Sequence, residues 1–112
     1  MGGWQFSFIR LFAQAFVYID NLLSEYAAID NMDKVSIARK LAEILDNVNF
    51  LHPFREGNGR TQREFIHILA YQKGYALDLN PLDNHAVYER YMTDTINGNV
   101  QDLATLIYEL LG

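Results

Sequence analysis

The chain has 112 residues, a net charge of −5, half its residues hydrophobic and no cysteine. That length bounds it to one domain with a single modest core, and the acidic balance argues against nucleic-acid binding, which needs a basic face to neutralise phosphates. The missing cysteines exclude disulfides and thiolate metal sites.

The first stretch with a pattern, Trp4-Gln5-Phe6-Ser7-Phe8, alternates large apolar and polar residues with the period of a strand. A helix is predicted from Ile9 to about Tyr26, with positions 9, 12, 13, 16, 19/20, 23 and 26 near a 3.6 period. The apolar run Phe6–Leu23 is interrupted by Arg10, Gln14, Asp20 and Asn21. It is too polar to span a bilayer, and it lacks the basic start and small-residue cleavage site of a signal peptide. The expectation is a cytoplasmic protein with no membrane partner. Ala27–Met32 reads as a polar turn, with Asn31 or Asp33 capping the next helix.

From Asp33, the apolar positions Val35, Ala38, Leu41/Ala42, Leu45 and Val48 predict an amphipathic helix running into Phe50-Leu51-His52. Pro53 stops it, because proline lacks an amide donor and clashes with the preceding turn. A loop, Gly57-Asn58-Gly59, precedes a helix predicted from about Arg60, with Phe65, Ile68, Leu69 and Gln72 along one side and Gly74 ending it. Tyr75–Leu82 reads as extended or loop, punctuated by Asn80-Pro81. Two helices close the chain, about Asp83–Ile96 and Val100–Leu111, separated by Asn97-Gly98-Asn99. The fold class is all-α, a compact helical bundle.

One stretch concentrates the chemistry: L-H-P-F-R-E-G-N-G-R-T-Q-R, from Leu51 to Arg63. Gly57 and Gly59 bracket Asn58 immediately before a helix. Glycines let a ligand approach the backbone, and successive amides with a helix N-terminus form a nest for an anion. Arg60 and Arg63, three apart, share a helix face in the first turns. Cations are unfavourable at that end of the dipole, so two of them point to an anion seated among them, best a di- or triphosphate. Glu56 would repel that anion unless a hard cation lies between, which makes it a candidate Mg²⁺ ligand. His52 has the residue type of a general base near neutral pH. Together the residues describe a hydroxyl that loses its proton to His52 and attacks a phosphorus held by the nest and the arginines. His67 and His85 have no partner at metal-ligand spacing and read as structural.

The same stretch resembles the signature of the Fic family, H-P-F-x-[D/E]-G-N-G-R-x-x-R, with every defining position filled. The resemblance is close over 33–112 and looser before that. It implies a single Fic-like domain over 1–112, an active-site loop and helix start at 52–63, and transfer of AMP from ATP to a Tyr, Thr or Ser hydroxyl of a target protein. It assigns His52 as base, Phe54 as the loop's core anchor, Glu56 as the Mg²⁺ ligand, and Gly57, Asn58 and Gly59 as the phosphate anion hole. Arg60 is expected at the β-phosphate and Arg63 at the γ-phosphate. Gly59 favours nucleotidyl transfer, since the related Doc kinases carry a lysine there. Residues 1–8 would be part of a β-hairpin flap that aligns the target by strand addition. No helix precedes that flap, so the resemblance reads the chain as an N-terminally truncated Fic core.

Further expectations follow from the same resemblance. An inhibitory antitoxin-like chain is a candidate partner, because the best internal match to an inhibitory helix, Thr105-Leu-Ile-Tyr-Glu109-Leu110, departs from the family pattern at its last position. A homo-oligomer is another candidate, an incomplete core leaving an apolar face for a second subunit. Tyr88 and Met92 are candidates for the adenine pocket. The alternatives are transfer of another nucleotide, phosphate or phosphocholine, removal of AMP, and a nucleotide-binding or interaction module of low activity. Delivery to a host cell is the alternative to a cytoplasmic role.

Overall fold

A computed structural model of the chain describes residues 17–51 and 58–111. Within them there are five helices and no strand: α1 (residues 17–28), α2 (Lys34–Leu51), α3 (Asn58–Gln72), α4 (His85–Ile96) and α5 (Val100–Leu110). The fold is all-α, as the periodicity predicts. The strand-like stretch 4–8 and the residues 52–57 lie outside the described residues.

α1 ends where the backbone turns at Asp30, whose carboxylate accepts the Met32 amide at 2.7 Å. Of the two candidate caps for α2, Asp33 is the one that acts. Its Oδ1 accepts the Ser36 amide at 3.1 Å, satisfying a first-turn donor that has no partner inside the helix. α2 then runs as the central element, packing against α5 and α3. Ile37, Ala38, Leu41, Ala42, Ile44 and Leu45 are all buried. Among residues 34–48 only Val35 and Arg39 are exposed. The predicted stripe therefore misses Ile37 and Ile44 and wrongly includes Val35. The reason is that α2 is covered on several sides, so its buried arc is far wider than one amphipathic stripe.

α3 begins at Asn58, two residues before the predicted start, and Gly59 takes a helical backbone there. Its buried face is Gln62, Ile66, Leu69 and Ala70. Phe65 lies at the edge of that face and Ile68 is exposed, so choosing the largest apolar residues rotates the predicted face away from the real one. The C-terminus follows expectation. Gly74 adopts φ +90°, the Gly74 amide donates to the Tyr71 carbonyl at 2.9 Å, and the Tyr75 amide donates to the Ala70 carbonyl at 3.0 Å. That is the paired bonding of a Schellman cap.

Residues 75–84 form no helix, and Leu77 and Leu79 alternate inward against exposed Ala76, Asp78 and Asn80. Asn84 rather than Asp83 is the residue before α4. Gly98 (φ +65°) repeats the Schellman closure at the end of α4, and Asn99 then caps α5 by accepting the Asp102 amide at 3.1 Å. Tyr26, Ile66, Leu79, Tyr91 and Ile107 belong to one buried cluster, with contributions from α1 through α5 and from the 75–79 segment. The Tyr26 hydroxyl donates to the Leu69 carbonyl at 2.6 Å, and burial, with Tyr75 adding to it, pushes its pKa up to about 12.

Candidate active site

The amphipathic pattern of α2 carries the chain to Leu51, and α3 resumes it at Asn58. Of the residues singled out in the sequence, His52, Glu56 and Gly57, with Phe54, lie outside the described residues. Asn58, Gly59, Arg60 and Arg63 lie on α3. Asn58 and Gly59 thus belong to the first turn of a helix and not to the loop before it. This change favours an anion site, because the first four amides of an α-helix have no acceptor within it. The first turn of α3 contains no acidic residue, so no carboxylate of its own offsets the positive end of the dipole.

The two arginines differ in their surroundings. Arg60 is exposed, while Arg63 is half-buried. The Arg63 guanidinium carbon lies 5.2 Å from the centre of the Tyr88 ring and 5.9 Å from that of Tyr91. Among the described residues no ion pair engages Arg63. Glu109, the acid of the internal inhibitory-helix match, instead pairs with Arg90 at 2.6 Å. Thr105 of that match donates its hydroxyl to the Gln101 carbonyl at 3.1 Å, an intrahelical bond.

Tyr88 and Met92 are both half-buried against the core, and the structure brings Tyr88 to the motif through Arg63. Tyr91, outside the signature, joins it through the same guanidinium. Tyr91 is fully buried. Burial raises its pKa, and the charge of Arg63 and its hydrogen-bonding approach to the Tyr91 hydroxyl oppose that rise. The available signal was the i, i+3 spacing of Tyr88 and Tyr91, which puts both rings on one side of α4. His67 Nδ1 lies 2.9 Å from the Leu77 carbonyl, and His85 sits exposed beside Glu89 at 3.5 Å.

No group of three His, Asp or Glu side chains among the described residues is placed to hold a metal. Between α2 and α3, Glu56 is the one acidic residue of the sequence. A single carboxylate suits a Mg²⁺ that takes most of its ligands from phosphates and water, and does not suit a permanently caged ion. Among the described residues no helix is long and apolar enough to cross a membrane.

Comparison with known proteins adds three findings. The model of the Fic/DOC family matches residues 2–70, taking in the N-terminal third, where the motif-based resemblance is loosest. The probable protein adenylyltransferase y4lH of Sinorhizobium fredii is 36% identical over 95 residues, covering 81% of this chain and 47% of that protein. The protein adenylyltransferase VbhT of Bartonella schoenbuchensis is 33% identical over 80% of this chain and 18% of its own, and a protein adenylyltransferase of Bartonella henselae is 28% identical over 82% and 17%. The chain spans less than half the length of each of these relatives.

Proposed function

The chain belongs to the Fic/DOC family, and on that footing we propose that it is a protein adenylyltransferase, moving AMP from ATP to a Tyr, Ser or Thr hydroxyl of another protein. The observation that carries this reading is the complete signature from His52 to Arg63, with its second half at the start of α3. The first amides of that helix have no acceptor within it, its first turn holds no acid, and Arg60 and Arg63 lie in its first two turns. The names of the similar proteins, each an adenylyltransferase, support the same reading.

In the proposed reaction His52 takes the proton from the target hydroxyl. The hydroxyl oxygen then forms a bond to the α-phosphorus, the bond from that phosphorus to the bridging oxygen breaks, and pyrophosphate leaves. Gly57, Asn58 and Gly59 hold the phosphate oxygens through backbone amides, Asn58 adding its side chain. Arg60 binds at the β-phosphate and Arg63 at the γ-phosphate. Glu56 would hold Mg²⁺, which when bound offsets the charge of the α- and β-phosphates. The target protein is the required partner, and an inhibitory chain is a second one.

The test is transfer of label to protein from ATP with Mg²⁺ and a lysate. Label at the α-phosphate is expected on protein and label at the γ-phosphate is not, and His52→Ala abolishes the transfer. Labelling that survives His52→Ala removes His52 as the base. Transfer of the γ-label instead makes the chain a kinase.

A further inference from the structure

Arg63 differs from Arg60 in a way that its place in the signature does not require. An arginine side chain loses substantial rotamer freedom when its guanidinium is fixed, and a site that has fixed it beforehand binds more tightly. Arg63 is already seated. Its guanidinium lies over the Tyr88 ring at 5.2 Å and beside the Tyr91 ring at 5.9 Å, distances at which a cation is drawn to the face of an aromatic ring. The two rings are 6.1 Å apart and tilted 51° to one another, so they form two walls and not one flat stack. Tyr91 is fully buried within the core cluster and Tyr88 is packed against that cluster, so the seat is anchored in the core and is not a surface contact. Arg60, exposed one turn earlier, has no ring beside it among the described residues.

We propose that Tyr88 and Tyr91 of α4 are positioning residues that hold the Arg63 guanidinium for the terminal phosphate of a nucleoside triphosphate, so that α4 sets the discrimination between tri- and diphosphate. This rests on the reading that Arg63 binds the γ-phosphate. It also gives Tyr88 a different role from lining a base pocket. A pocket residue affects ATP and ADP alike, because the base is common to both, whereas a seat for Arg63 affects only the ligand that has a γ-phosphate.

The experiment is titration calorimetry of the full chain with ATP and with ADP, both with Mg²⁺, read as the ratio of the two affinities. Arg63→Ala is the reference and should collapse that ratio. If it does not, the γ-phosphate role of Arg63 fails, and the seat with it. Given that collapse, Tyr88→Leu is expected to lower the ratio roughly three- to tenfold, with ADP affinity little changed. Tyr88→Phe, which keeps the ring, restores it. A Tyr88→Leu variant that weakens ATP and ADP equally, or neither, overturns the proposal. Arg63→Lys tests the seat with α4 intact. It keeps the charge and loses the planar group that the rings face, so the ratio should fall. Retention of the ratio by Arg63→Lys overturns the proposal as well.

Discussion

Asp33 caps α2, and its hydrogen bonds with Ser36, to the side chain first and the amide second, hold its carboxyl below the usual 3.8. A carboxylate with a lowered folded pKa contributes stability that is present above its unfolded value and lost as pH falls through the folded one. Asp94, on α4, is the reverse case. One of its carboxylate oxygens is buried without a hydrogen-bond partner among the described residues. Burial first and the nearby Asp102 second raise its pKa, with Arg90 opposing. Its charged form therefore weakens the fold above the folded pKa, and the penalty fades as the group protonates. Asp33→Asn should melt at a lower temperature than the parent at pH 7, and Asp94→Asn at a higher one. Both differences should close as pH is lowered through the respective folded values. Melts from pH 7 downward check this, and two shifts of the same sign would rule out the assigned causes. At this scale the signature itself was legible, since a histidine, a carboxylate, glycines and arginines within twelve residues need no tertiary information. The Tyr91 ring beside Arg63 was not, because that contact depends on how α4 is placed against α3.

Helix ends were easier to read than helix faces. Gly74 was expected to close α3 and does so with φ +90°, a conformation that costs an L-residue about 1–2 kcal/mol. A Cβ added there meets nothing within 4 Å, so the cost of Gly74→Ala is one of backbone conformation with no steric part. That substitution should lower the unfolding free energy by about 1–2 kcal/mol, and Gly74→Asn by less, since asparagine visits that region more readily. Denaturant titration measures both, and a neutral Gly74→Ala would show that the Schellman closure has relaxed. The faces were harder because periodicity records where apolar residues are and not which neighbours cover them. On α3 the buried arc includes the polar Gln62 and the small Ala70 while Ile68 points outward. No ranking by side-chain size finds that arc. α4 shows the same limit, its inward face running Val87, Tyr91, Thr95.

The described residues are organised around α2, which packs against both α5 and α3 and leads directly into the signature. Ile44 tests that arrangement, because it is fully buried on α2 yet falls outside the single stripe that the sequence suggests. If α2 is covered on several sides, Ile44→Ala leaves a cavity that the surrounding helices cannot all close, at a cost of about 2–5 kcal/mol. Domains of this kind are stable by only about 5–15 kcal/mol, so that loss would be a large fraction of the total. Val35, also on α2 but 46% exposed, is the control, and Val35→Ala should change stability by about 0.5 kcal/mol or less. Denaturant unfolding of the two variants decides between the pictures. A large gap supports a central α2 buried over most of its circumference. Equal, small effects would mean that α2 is a surface helix with one buried stripe, and that the two helices flanking the signature are held to the core less firmly than their packing implies.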